Sequence, residues 1–184
     1  MLANGKPLTR DKLTGTGVLV DSAIQTVKRI ATELRPSILD HLGLWPAIEW
    51  QVQELQKHYP IGCELHFESP PVYLEAEAQT ALFRIVQEAF TNIVRHARAT
   101  QIRVRVHNSE DTVVVDIHDN GVGLPAAKLL DPGSSGIHGM RERARAFEGD
   151  VQFLTGQDSG TCVSARFPLT KNAYRQAATT GEPD

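Results

Sequence analysis

Three groups of residues in this chain combine side-chain types and spacings that can do chemistry. The first is Glu88, Asn92 and His96, which follow one another at i, i+4 and i+8 in QEAFTNIVRHARA. On a helix they stack along one face, bordering the apolar stripe rather than opposing it. A carboxylate and a carboxamide oxygen one turn apart can seat Mg2+, a hard cation that takes oxygen ligands and keeps several waters. The carboxylate can equally serve as a base toward a nearby nucleophile. Taken alone, the trio is also compatible with ordinary polar residues at the edge of a buried stripe.

The second group is Asp119-Asn120-Gly121-Val122-Gly123, closing the run DTVVVDIHD. In strand phase Asp119 follows Val113, Val115 and Ile117, so the alternation aims a carboxylate at the core side where the strand ends. A buried charge is costly unless donors meet it, and an adenine amino group would serve. Gly121 and Gly123 let backbone approach a ligand closely. The competing reading is a plain Asx turn after a strand. The third group is Gly133, Gly136 and Gly139, leading into a helix from Ile137. Glycine-rich backbone at a helix N-terminus offers N–H groups and the positive dipole end to phosphates. The chain has no GxxxxGK[ST], so this is not a P-loop, and glycines are absent where a Rossmann fingerprint needs them.

The elements that must position these groups are legible in outline. Val20, Ile24, Val27, Ala31, Leu34 and Ile38 recur at heptad-like spacing, with Pro36 set to kink or end the helix near Arg35. This is either an amphipathic helix packed on its own domain or a partner-seeking one. Residues 43–58 predict a helix with Trp45, Ile48, Val52 and Leu55 on one face, and Pro46 tolerated in its first turn. IGCELHFES alternates as a half-buried strand. From Leu74 to Ala97, the stripe Ala78, Leu82, Ile85, Val86, Ala89, Ile93 and Ala97 predicts a long helix.

Ile102–Val106 and Val113–Ile117 predict a hairpin through NSED, and residues 120–136 read as one aperiodic loop. Ile137, Met140, Ala144 and Phe147 mark a further helix, with Gly149 as its C-terminal stop. Val151–Leu154 and Cys162–Phe167 close with a hairpin around Gly156 and Gly160. Hairpin-joined strands with long helices on one face give an α+β fold, a two-layer α/β sandwich with an N-terminal helical extension.

Composition removes several function classes. The chain has 184 residues, 41% of them apolar, with 19 Lys and Arg against 22 Asp and Glu. A net charge of −3 argues against a dedicated duplex-DNA binder. No apolar run approaches the roughly 18 residues of a membrane span, and MLANGKPLTR lacks a signal-peptide h-region. Two distant cysteines, Cys63 and Cys162, make no disulfide framework and fit a reducing cytosol.

In this order and at these separations, QEAFTNIVRHARA, DIHDNGVGLP and GSSGIHGMRERARAFEGDVQF resemble the N, G1 and G2 boxes of the Bergerat (GHKL) ATP-binding superfamily, and GTCVSARFPL resembles its last glycine-threonine strand. GMRER, His96 followed by Ala97, and LRPSILDHLGLWPAIEW resemble sensor histidine kinases of the NarX/DesK type. The resemblance covers about residues 20–170. It implies ATP and Mg2+ as cofactors. Glu88 would be the base or Mg2+-associated carboxylate, and Asn92 a Mg2+ ligand. His96, with Arg95 beside it, stands where the family has a phosphate-contacting basic residue. Asp119 would read the adenine amino group, and Thr161 would support it through a water. Gly121 and Gly123 would shape the pocket floor and Leu124–Ser135 the lid. Gly136 and Gly139 would approach the phosphates, with His138 touching them from the lid edge. The reaction implied is transfer of the ATP γ-phosphoryl to a histidine and relay to a response regulator receiver domain, in a homodimer built through a dimerisation hairpin.

The implied organisation is a loop over 1–17, the second helix of that hairpin over 18–42, the ATP-binding domain over 43–170 and a loose tail over 171–184. No ELHD-like acceptor motif occurs, and His41 in LDHLGL falls at the end of the second hairpin helix. The expectation is therefore a fragment that binds ATP without autophosphorylating. It would be cytoplasmic and contact neither nucleic acid nor membrane, whether or not a longer parent is membrane-anchored. Competing readings are another GHKL ATPase, such as an anti-sigma serine kinase, or a non-catalytic nucleotide-binding regulatory module.

Overall fold

Helix α1 (Ser37–Leu42) and helix α2 (Leu44–His58) are separated by Gly43, whose φ is +76°. In the computed structural model the described residues are 37–69, 72–109, 111–131, 133–155 and 160–169. All lie in the unit Pro36–Asp184. The heptad-like seam from Val20 to Leu34 and the tail over 171–184 lie outside them.

Helix α2 forms where the apolar spacing demands it. Leu44, Ala47, Ile48, Val52 and Leu55 are buried on one side, while Pro46 sits in the first turn. Trp45 is half-buried. Its Nε1–H donates to the Val72 carbonyl at 3.1 Å, and its ring meets Phe67 edge-on at 6.4 Å.

Strands β1 (Gly62–Phe67), β2 (Gln101–Ser109), β3 (Thr112–Asp119), β4 (Asp150–Thr155) and β5 (Thr161–Pro168) form one five-stranded sheet in the order β1-β2-β3-β5-β4. β1 runs parallel to β2, and the remaining pairs are antiparallel. A parallel pair needs a crossover, and helix α3 (Ala76–Asn92) supplies it. β1 is an edge strand, so its inward residues Cys63 and Leu65 are only half covered and Phe67 is exposed.

On the covered face Ile102, Val104, Val106, Val113, Val115, Ile117, Val163, Ala165 and Phe167 form the core with the helices. The other face carries ion pairs, Arg103–Glu64 at 3.0 Å and the two-pronged Arg105–Glu68 pair at 2.7 and 2.9 Å. Exposed pairs of this kind are screened by water, so they set register more than stability.

All seven expected stripe residues of α3 are buried, and so are Ala81, Phe83 and Phe90. The helix is covered on more than one side because it contacts α2 as well as the sheet and a later helix. Its last turn, Ile93–Ala97, widens into a π turn, followed by Arg98 at φ +54°.

Two local expectations change. The stretch 120–136 contains a short helix, α4 (Ala126–Leu130), with no buried residue. Its Ala, Lys and Leu favour helix, but an exposed helix shows no apolar period. Helix α5 (Ser135–Arg145) begins two residues before Ile137, so Gly136 lies in its first turn rather than ahead of it. The left-handed residue after α5 is Glu148, at φ +57°, and not Gly149. Gly149 instead donates its N–H to the Ala144 carbonyl at 2.9 Å. A Cβ there would meet the Arg166 carbonyl oxygen at 2.5 Å.

Candidate functional site

Asp119 is the last residue of β3 and is 2% exposed. The strand phase that buries Val113, Val115 and Ile117 carries this carboxylate inward with them. Its Oδ1 accepts the Gly121 N–H at 2.8 Å, a charge-assisted bond that offsets part of the desolvation. The antiparallel register that pairs His118 with Cys162 sets Thr161 opposite Asp119.

Asn120 fixes this corner. Its Oδ1 accepts the N–H groups of Thr100 and Gln101, both at 2.9 Å, and its Nδ2 donates to Thr100 Oγ1 at 2.9 Å. The end of β3 is thereby tied to the start of β2. Val122 donates its N–H to the Ala97 carbonyl at 2.8 Å, which docks the loop on the C-terminal end of the α3 segment. Gly123 holds φ +79° in the same loop.

Glu88 and Asn92 are half-buried on α3, one turn apart. Among the described residues no hydrogen bond engages either side chain. Glu88 faces the first turn of α5 so closely that a Cβ on Gly136 would overlap its Oε1. Gly136 leaves the room in which the carboxylate lies against α5. Arg95 and His96 are exposed in the π turn. A wider turn rotates the chain less per residue, which brings His96 back toward the Glu88–Asn92 line, and such turns recur at functional sites.

Residues 128–138 have their own network. Asp131 Oδ1 accepts the Gly133 N–H at 2.9 Å, its Oδ2 meets Lys128 Nζ at 3.3 Å, and its carbonyl accepts the Ser134 N–H at 2.9 Å. The Gly133 bond first, and then Lys128, hold the Asp131 carboxyl below its usual value. His138 Nε2 lies 3.1 Å from the Asp131 carbonyl oxygen. A carbonyl only accepts, so in this contact Nε2 donates and His138 ties α5 to Asp131. Gly139 faces the guanidinium of Arg143, with a Cβ there meeting Nη1 and Nη2 at 3.3 Å.

The structure thus assembles two groups. Asp119 and Gly121 meet at the end of β3, with Gly121 against Ala97, Gly123 further along the same loop and Thr161 opposite in register, while Glu88 meets Gly136 across α3 and α5 with Asn92 one turn along α3. His138 and Gly139 stand on α5, engaged with Asp131 and Arg143 respectively. Asn120 and Gly160 carry structural roles in the site that local spacing did not assign. A buried acceptor at one end, unengaged oxygens midway and glycine-lined helix start at the other suit an elongated ligand with a donor-bearing ring and an anionic tail. No group of three or more His, Cys, Asp or Glu residues among the described ones could cage a metal. The Glu88 and Asn92 oxygens still fit Mg2+, which is held by one or two protein oxygens plus phosphate and water.

Residues 77–171 match the family model described as histidine kinase-, DNA gyrase B-, and HSP90-like ATPase. The chain is similar to the sensor histidine kinase MctS of Rhizobium johnstonii, 32% identical over 155 residues, covering 83% of this chain and 33% of that protein. It is likewise similar to the signal transduction histidine-protein kinase/phosphatase DegS of Brevibacillus brevis, 32% identical over 152 residues, covering 83% and 39%. The chain therefore spans about a third to two-fifths of the length of these relatives. The solved ATP-binding domain of PrrB from Mycobacterium tuberculosis shares the fold, with a TM-score of 0.57 at 21% identity, covering 68% of this chain and 93% of that one. No described helix is long and apolar enough to cross a membrane.

Proposed function

We propose, because the chain belongs to the histidine kinase-, DNA gyrase B-, and HSP90-like ATPase family, that it is the ATP-binding catalytic portion of a two-component sensor histidine kinase. The observation that carries the reading is Asp119: a carboxylate 2% exposed at a strand end, meeting the N–H of Gly121 in the glycine loop that follows. Its acceptor oxygen would take the adenine amino group. Thr161, opposite it in register, would add a hydroxyl through a water.

The remaining residues place the phosphates. Asn92 and Glu88 would hold Mg2+, which when bound neutralises phosphate charge. Gly136 admits α5 to the phosphates, while Arg95 supplies positive charge and His96 a ring N–H donor at the π turn. Phosphoryl transfer of this kind is mostly positioning and charge neutralisation, so a site with few nucleophiles suffices. The acceptor would be a histidine on a dimerisation helix and the next acceptor an aspartate on a receiver domain, within a homodimer. The organisation into loop 1–17, hairpin helix 18–42, ATP-binding domain 43–170 and tail 171–184 is part of the same proposal.

Titration of the chain with ATP and Mg2+ tests the reading. Asp119→Asn exchanges half of a buried acceptor for a donor and should weaken ATP by about tenfold or more. Unchanged affinity would remove Asp119 from the site and the reading with it. Incubation with γ-labelled ATP should leave no stable label on any histidine of this chain.

A further inference from the structure

Gly136, Gly139 and Arg143 lie at i, i+3 and i+7, so they share one face of α5. That face meets α3, where Glu88 and Arg84 are one turn apart. Gly136 abuts Glu88, and the Arg143 side chain runs back over Gly139, as helical side chains do. Burial and then the charge of Arg143 push the Arg84 guanidinium below its ordinary value, which places the two cations together.

Arg143 differs from its neighbours on this helix. Arg141 donates to the Leu129 carbonyl at 3.3 Å and lies 5.3 Å over the Phe153 ring. Arg145 is exposed. Arg143 Nη1 is buried without an acceptor among the described residues, and no ion pair there joins it to Glu88. An enclosed cationic donor costs stability unless an acceptor is supplied, and a guanidinium suits phosphate oxygens in particular.

The order of groups along α3 says which phosphate. The Asp119 loop docks at Ala97. Glu88 lies nine residues back toward the helix start, roughly 13 Å at 1.5 Å per residue, and Arg84 roughly 6 Å beyond it. A nucleotide with its base at Asp119 and its phosphates laid along this line would bring its far end to the Gly136–Gly139 face, beside Arg143.

We propose that Arg143 binds the terminal phosphate of the nucleotide, so that the site distinguishes a triphosphate from a diphosphate. This rests on the reading of the cleft as an ATP site. Gly139 then serves by making room for the guanidinium rather than by meeting phosphate itself, and Arg84 adds positive potential behind it.

Calorimetric titration of the chain with ATP and with ADP, each with Mg2+, tests it. Arg143→Gln should weaken ATP by about tenfold or more while ADP stays within about twofold. Arg143→Lys keeps the charge but loses the fork, and should weaken ATP by an intermediate factor, again with ADP unmoved. If Arg143→Gln fails to fold by thermal unfolding, Arg143→Lys decides. ATP and ADP weakened by one common factor, or neither changed, overturns the inference while leaving the nucleotide site standing. Wild-type chain binding neither nucleotide overturns both readings.

Discussion

Gly160 stands directly against the backbone of Asp119. A Cβ on Gly160 would overlap the Asp119 carbonyl oxygen and reach the Asn120 Cα at 3.0 Å. Gly160 is itself buried. The contact seats the start of β5 on the end of β3, so Thr161 faces Asp119 only as long as position 160 has no side chain. The neighbour is backbone within a sheet and cannot move aside as a flexible side chain could.

Gly160→Ala should therefore cost stability and nucleotide affinity together. Overpacking of this kind costs about 1–3 kcal/mol, and the displaced Asp119 corner should weaken ATP by about tenfold. Gly62→Ala is the matched control, because a Cβ there meets its nearest neighbour, the Thr100 carbonyl oxygen, at an ordinary 3.7 Å. Thermal unfolding and ATP titration of the two variants check this. Equal effects at positions 160 and 62 would remove the close approach as the cause.

Asn120→Ala should destabilise the corner without removing its chemistry. The side chain accepts two backbone N–H bonds and donates a third to Thr100 Oγ1, all at 2.9 Å. Asn120 is exposed, so water replaces part of what is lost, and the expected cost is about 1–2 kcal/mol. ATP affinity should fall less than in Asp119→Asn, because the acceptor carboxylate remains. A larger affinity loss than in Asp119→Asn would show that Asn120 touches nucleotide itself.

What the sequence disclosed and withheld divides on physical lines. The α3 stripe and the inward phase of Asp119 were legible because burial on a helix or strand repeats at a fixed period. Helix α4 left no such trace, since it buries nothing. The roles of Gly160 and Gly136 come from contacts between residues far apart in the chain, Gly160 with Asp119 and Gly136 with Glu88, and no local pattern encodes them. Gly149 was legible as the stop of α5, and its N–H does close the helix end on the Ala144 carbonyl, but the geometry of that end was not. Here the left-handed position falls on Glu148, and Gly149 answers to the Arg166 carbonyl instead. The π turn at Ile93–Ala97 likewise has no spacing signature, although it decides where His96 points.

The turn anchored at Asp131 should respond to acid. Its carboxyl is held below the ordinary 3.8, first by the Gly133 N–H and then by Lys128. A depressed carboxyl contributes stability above its unfolded value and loses it as pH falls through the lower folded value. The Gly133 amide should therefore be protected at neutral pH and lose that protection as the carboxyl is protonated in acid. The Ser134 amide, which donates to the Asp131 backbone carbonyl, should keep its protection and is the internal control. Asp131→Ala should remove the Gly133 protection at all pH values and leave global stability nearly unchanged, since the group is exposed. Hydrogen exchange resolved at the two amides reads this directly. Gly133 protection unchanged in Asp131→Ala would show that the carboxylate does not hold this turn.

Cys162 sets the alkaline side. Its thiol, half-buried on β5, is pushed up from 9.0 to about 11, first by burial and then by the nearby Asp116 charge. A raised thiol is neutral in the fold over a range where the unfolded chain already ionises. Its contribution is therefore complete below about 9 and declines as pH climbs toward about 11. The urea midpoint of the wild-type chain should fall across that window, and Cys162→Ala should flatten the fall after its own packing cost is subtracted. Alkylation gives a second readout. At pH 8 Cys162 should react far more slowly in the folded chain than in urea, because the thiolate is the nucleophile. Folded and unfolded rates that match would mean that Cys162 is neither buried nor shifted in solution.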